Sequence, residues 1–159
     1  MNEYETNKEH AIRAHNNETD FYNFMNQSTI EAGQIAVKSL FLINGGAVVA
    51  MLGFIANTFG EMQANAEALI MPLMHFVVGV GLTALTSAMA YFTQYCFTSA
   101  SAKRKKKWDH PYVEDTKSSK LWRNWGVGFQ VFAILSAVGS FVVFSRGIFQ
   151  LADALRAAL

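Results

Sequence analysis

Three stretches of this chain contain no Asp, Glu, Lys or Arg: Ser39 to Gly60, Ala68 to Ala102 and Asn124 to Ser145. Each is dominated by Leu, Ile, Val, Phe, Met, Ala and Gly. A hydrocarbon layer of about 30 Å takes roughly 20 helical residues to cross, and one Lys, Arg or Asp at its centre costs roughly 2.5 to 3.5 kcal/mol on insertion scales. Three charge-free windows of sufficient length therefore predict an all-α membrane protein with three transmembrane helices, at about 37-59, 68-96 and 125-146. An N-terminal amphipathic, polar helical region precedes them and a short C-terminal helical extension follows. A soluble bundle whose core helices are apolar all round is the competing architecture, but such helices are usually shorter than these. With 52% hydrophobic and 16% charged residues, the composition also sits badly with a water-soluble domain.

The charges that remain are sorted by sign. Residues 1 to 38 carry six acids against three bases, whereas residues 103 to 123 carry eight bases against three acids. Lys and Arg concentrated in a short loop beside two spans hold that loop in the cytoplasm. The expected topology is thus a cytoplasmic N-terminal region (1-36), an external acidic link at Gly60 to Glu67, a basic cytoplasmic loop (99-123) and an external C-terminus. The setting this implies is a bacterial inner (cytoplasmic) membrane. Because the first 38 residues are polar, the first apolar segment begins too late for a cleaved signal sequence and is expected to stay as an anchor. No linker, repeat or low-complexity tract divides the chain, so residues 1-159 read as a single membrane domain.

Local signals set the expected boundaries. Glu9 and Arg13, four residues apart, support a short surface helix, and Thr19 is placed to cap a turn carrying Phe21, Phe24 and Met25. Ser28 and Glu31 match a capping box, which predicts a helix beginning there and running from about Thr29 to Phe59. Pro72 falls near the start of the second span, where a missing amide does least harm. The second charge-free stretch, at 35 residues, exceeds the bilayer, and its aromatic cluster at Tyr91, Phe92, Tyr95 and Phe97 suggests protrusion into the cytoplasm. Lys103, Arg104, Lys105, Lys106 and Lys107, with Trp108, Trp122 and Trp125 at the edges of the loop, are expected to meet anionic lipid headgroups at about 1 kcal/mol per basic residue. No nucleic-acid partner is expected, since the loop is too short for a recognition fold.

Small residues mark the faces on which the helices should pack. Gly46, Ala50, Gly53, Asn57 and Gly60 recur at spacings of four and three, as do Gly126, Gln130, Ala133, Ala137 and Ser140, while the second span offers Gly81, Ala84 and Ala88. In lipid such seams supply the van der Waals contact that brings helices together. They are open to contacts within one chain or between copies, and the surplus of small faces suggests a homo-oligomer or a membrane protein partner. Asn44, His75 and Gln130 are the polar residues that would need partners or water. Asn44 and Gln130 fall at similar depth and are candidates to bond each other. His75 heads a mildly polar stripe with Gly79, Thr83, Thr86, Ala90 and Gln94. That stripe reads either as interhelical hydrogen bonding, worth around 0.6 kcal/mol per bond, or as the lining of a wet, pH-sensitive pore.

The lone Cys96 excludes an intramolecular disulfide and a zinc site built from several thiolates. There is no His-Glu-x-x-His, no Gly-x-Ser-x-Gly and no paired carboxylates within a span, so no catalytic residue, metal or cofactor is expected. The functional expectation is a small non-enzymatic integral membrane protein that self-associates as a subunit or effector, with pore formation one outcome. The second is a transporter-like protein, or an accessory or docking subunit of a larger membrane complex, that uses His75. Three spans without an inverted repeat weigh against a complete transporter.

Overall fold

The computed structural model describes residues 3–58, 66–108 and 110–158. Three helices make up nearly all of it: α1 (Glu3–Thr58), α2 (Ala66–Ala102) and α3 (Lys117–Ala158). Between α2 and α3 the chain forms a two-stranded antiparallel ladder, β1 (Lys105–Lys106) and β2 (Val113–Glu114), with Lys105 opposite Glu114 and Lys106 opposite Val113. Three stretches, Ile30–Asn57, Ala68–Ala102 and Lys117–Arg156, are long and apolar enough to cross a membrane. Residues 60 to 65 of the expected acidic link lie outside the described residues.

Several boundaries differ from those the sequence suggests. No helix starts at Ser28, because α1 passes through that position without interruption from Glu3 to Thr58. Glu31 does not turn back to cap; its Oε1 accepts from Gln27 Nε2 at 3.0 Å, a bond along the helix surface. Thr19 likewise caps nothing, its hydroxyl donating to the His15 carbonyl at 2.7 Å within the same helix. With no proline between residues 3 and 58, neither polar signal stops the ladder of backbone bonds. Helix α2 begins at Ala66, which puts Pro72 past the first turn, where it has no N–H to give the Ala68 carbonyl. Helix α3 begins at Lys117, so Trp122 and Arg123, expected in the loop, stand on its first turns. Thr116 causes this: its Oγ1 accepts the Ser119 amide at 3.0 Å, an N-cap, while its hydroxyl donates to the Lys103 carbonyl at 2.8 Å.

Contacts along the chain sort into two compact units. One comprises residues 1–33 and 90–130, the other residues 34–89 and 131–159. In the second, Met51, Leu69 and Phe76 are buried, with Ala47, Val48, Ile55, Leu73, Phe144, Leu151 and Ala154 packed against them. The Phe76 and Phe144 rings lie 5.6 Å apart. Gly147 admits Phe76 there, since a Cβ at that position would come within 2.8 Å of the Phe76 ring. In the first, the N-terminal part of α1, the end of α2, the ladder and the start of α3 are joined mainly by charged and polar groups, described next.

Candidate functional site

In the first unit the basic run is not a uniform patch. Arg104 donates Nε to Asp115 Oδ1 at 2.8 Å and Nη1 to Glu18 Oε1 on α1. Asp115 is shared, its Oδ2 accepting from Arg123 at 3.0 Å. Lys107, just past β1, pairs with Glu114 of β2, and that hydrogen bond and charge hold the Glu114 carboxyl below its ordinary value. Lys103 lies over the Trp122 ring, 4.4 Å from its centre. Three of the five consecutive cations are therefore engaged by the chain itself. Lys105 and Lys106 are exposed and make no ion pair among the described residues. Further contacts tie α1 to the loop: His15 Nε2 lies 2.8 Å from the Tyr112 carbonyl, and Tyr112 donates its hydroxyl to Asn7 Oδ1 at 2.9 Å.

Beside this network lies a half-open pocket of about 340 Å³. His15, Glu18, Tyr22 and Asn26 line it from α1 at spacings of three and four, the repeat that keeps side chains on one helix face. Thr98 and Ser101 of α2, with Arg104 and Lys106, line it as well, beside Ala102 and Val113. The Tyr22 hydroxyl is shielded from solvent and has no hydrogen-bond partner among the described residues. Burial pushes its pKa up, opposed in part by the Arg104 charge, so the phenol stays a donor at neutral pH.

In the second unit the polar groups converge inward. Asn44, Ser140 and Thr83 are almost wholly buried, one from each helix. Asn44 Nδ2 donates to the Leu40 carbonyl at 2.9 Å and to Ser140 Oγ at 3.1 Å. The Ser140 hydroxyl and the Thr83 hydroxyl each reach the Gly79 carbonyl at 2.9 Å, and the two oxygens are 3.0 Å apart. Each hydroxyl has one hydrogen, so two protons serve three contacts. Asn44 Oδ1 has no conventional partner among the described residues and faces Gly79, where an added Cβ would fall on the amide. A Gly79 hydrogen takes that place, a weak Cα–H···O contact.

The partner of Asn44 is thus Ser140, not Gln130, which belongs to the other unit. His75 is half-buried and its Nδ1 turns back to the Met71 carbonyl at 2.8 Å. Thr83 and Thr86 are buried, Thr86 donating to the Leu82 carbonyl at 2.9 Å. Ala133 is buried and Gln130 and Ala137 are partly so, whereas Gly46, Ala50, Gly53, Ala84 and Ala88 are exposed. A Cβ built on Gly46 or Gly53 meets nothing within 4 Å. Trp108 and Trp125 are exposed, while Trp122 is half-covered. No group of three or more His, Cys, Asp or Glu arranged to hold a metal occurs among the described residues.

Compared with known proteins, the chain matches no family model, no curated protein and no solved structure.

Sequence reasoning missed Ser140 as a polar partner, counting it only as small, and missed Glu18, Asp115 and Tyr22 altogether. The excess of bases in 103–123 drew attention to the cations, yet the acids that organise them lie partly in α1, far away in sequence. No local spacing signals such a pairing.

Proposed function

We propose that this chain is a small, non-enzymatic integral membrane protein whose three helices cross the bilayer and which serves as a self-associating or docking subunit. The observation that carries the reading is the polarity of the second unit. Its interior holds Asn44, Thr83, Thr86, Ser136 and Ser140, while Leu42, Val49, Met71, Leu135 and Phe141 face outward, each more than half exposed. Only 11%, 28% and 17% of an 18-residue apolar window in α1, α2 and α3 respectively is buried. Water is a poor solvent for such a surface, at roughly 25 cal/mol per Å² of apolar area, and hydrocarbon a good one. Inward hydroxyls bonded to carbonyls suit the same solvent, because lipid satisfies no polar group.

The open flank beside Gly46, Ala50 and Gly53 supports self-association, since a second membrane helix would approach closely there. Burial of Thr83 and Thr86 against the chain's own helices favours a structural subunit over a conducting path along the His75 stripe. The basic segment Lys103 to Lys107 orients the protein with that loop and the N-terminus in the cytoplasm and the C-terminus outside. In a Cys96→Ala background, a cysteine replacing Lys106 should react with a membrane-impermeant maleimide only after permeabilisation, and one replacing Gln63 should react in intact cells. The opposite pattern would refute the orientation, and labelling of both without permeabilisation would refute the three-span topology.

A further inference from the structure

We infer that the pocket of the first unit binds the headgroup of an anionic phospholipid bearing free hydroxyls, a phosphodiester of the phosphatidylglycerol kind. The inference rests on the membrane reading above and adds a specific site to it. Its level along the helices is the first argument. Asn26, at one end of the α1 wall, stands one turn before Ile30, where the apolar stretch of α1 opens, and Thr98 lies inside the apolar stretch of α2. A pocket between those points sits where apolar helix gives way to charged loop, which is the depth of lipid headgroups. At about 340 Å³ its volume is within the range of roughly 300 to 1,000 Å³ common for small-molecule sites.

The lining then selects the chemistry. Arg104 is held between Glu18 and Asp115, so the charge left for a phosphate is the Lys106 ammonium. Tyr22, Asn26, Thr98 and Ser101 add neutral hydroxyl and amide groups to a wall whose surface is otherwise mostly apolar, which suits the hydroxyls and ester oxygens of a polyol headgroup and the first carbons of its acyl chains. The Glu18 carboxylate, its charge offset by Arg104, accepts from headgroup hydroxyls. Tyr22 supplies a donor that has no partner among the described residues, and a headgroup oxygen would satisfy it after a small shift of the ring. The basic segment is then divided in role: Lys103, Arg104 and Lys107 shape the loop, and Lys106 meets the ligand.

The test uses the full chain reconstituted in nanodiscs of mixed phosphatidylcholine and phosphatidylglycerol, then released into detergent, with retained lipid read by native mass spectrometry. Phosphatidylglycerol should be kept in preference to phosphatidylcholine. Lys106→Gln should lower that retention about fivefold, and Tyr22→Phe, which removes one oxygen and leaves the ring packing, should lower it as well. Lys105→Gln should leave it unchanged, since adjacent strand residues point to opposite faces. Equal losses in the Lys105 and Lys106 variants would overturn the inference in favour of diffuse surface charge. Displacement of the lipid by soluble glycerol phosphate at matched concentration would overturn the lipid assignment in favour of a soluble phosphate ester. Lack of any lipid preference in protein that floats with vesicles would overturn the pocket alone, whereas protein that fails to float would overturn the membrane reading on which it stands.

Discussion

Gly79 carries more of the second unit's geometry than any charged residue does. Its carbonyl takes hydroxyls from Thr83 and Ser140, and its bare Cα leaves room for the Asn44 amide. Gly79→Ala would put a methyl group on that amide and force either the helices or the Asn44 rotamer to move. Overpacking of this sort costs about 1 to 3 kcal/mol. Thermal unfolding in detergent micelles should show the loss, while Gly81→Ala, two positions away and open to its surroundings, should melt with the parent. Equal melting of both variants would mean that the Asn44 amide is not held against Gly79. Hydrogen bonds within membranes average only about 0.6 kcal/mol, so the steric effect should exceed that of Ser140→Ala, which removes hydrogen bonds without adding bulk.

Helices α1 and α3 both begin well before the points at which the sequence suggests they start, and the reason differs. For α1, a backbone without proline outweighs the Ser28 and Glu31 pattern. For α3, Thr116 supplies a cap that lies seven residues upstream of the last basic loop residue expected from the sequence, Arg123. The same Thr116 hydroxyl grips the Lys103 carbonyl just past the end of α2 and so fixes both ends of the ladder-bearing loop. Thr116→Ala should cost about 1 kcal/mol and speed amide hydrogen exchange at Lys117 to Lys120, with exchange in the middle of α3 unaffected. Thr116→Ser should restore protection, because it keeps the hydroxyl. Unchanged exchange in the alanine variant would show that the ion pairs of Asp115 hold this end of α3 without the cap.

At the level of the whole molecule, the small-residue face of α1 separates folding from assembly. Among the described residues, and apart from its own helix backbone, nothing lies within 4 Å of a Cβ built at Gly53, so Gly53→Leu should leave the melting of a single protein chain unaltered. If copies associate through this face, the leucine holds two backbones apart and shifts the population toward monomer. Size measured by light scattering in detergent, or by photobleaching steps in nanodiscs, reads the change. A variant that assembles like the parent would place the contact elsewhere, and a parent that is monomeric throughout would end the self-association proposal.

The three apolar stretches could be found by counting because their cause is local: a charge is expensive in hydrocarbon wherever the rest of the chain lies, so its absence over some twenty residues is itself the signal. The same logic located the basic segment and the small residues. It could not tell which small faces would be filled. Gly46 and Ala133 are equivalent as entries in a spacing pattern, yet one is open and the other buried. It could not pair Asn44 with Ser140, or Arg104 with Glu18, because those partners are separated by many turns of helix and meet only when the helices are packed. A hydrogen bond acts over about 3 Å, and a distance that short between residues so far apart in sequence is fixed by the fold.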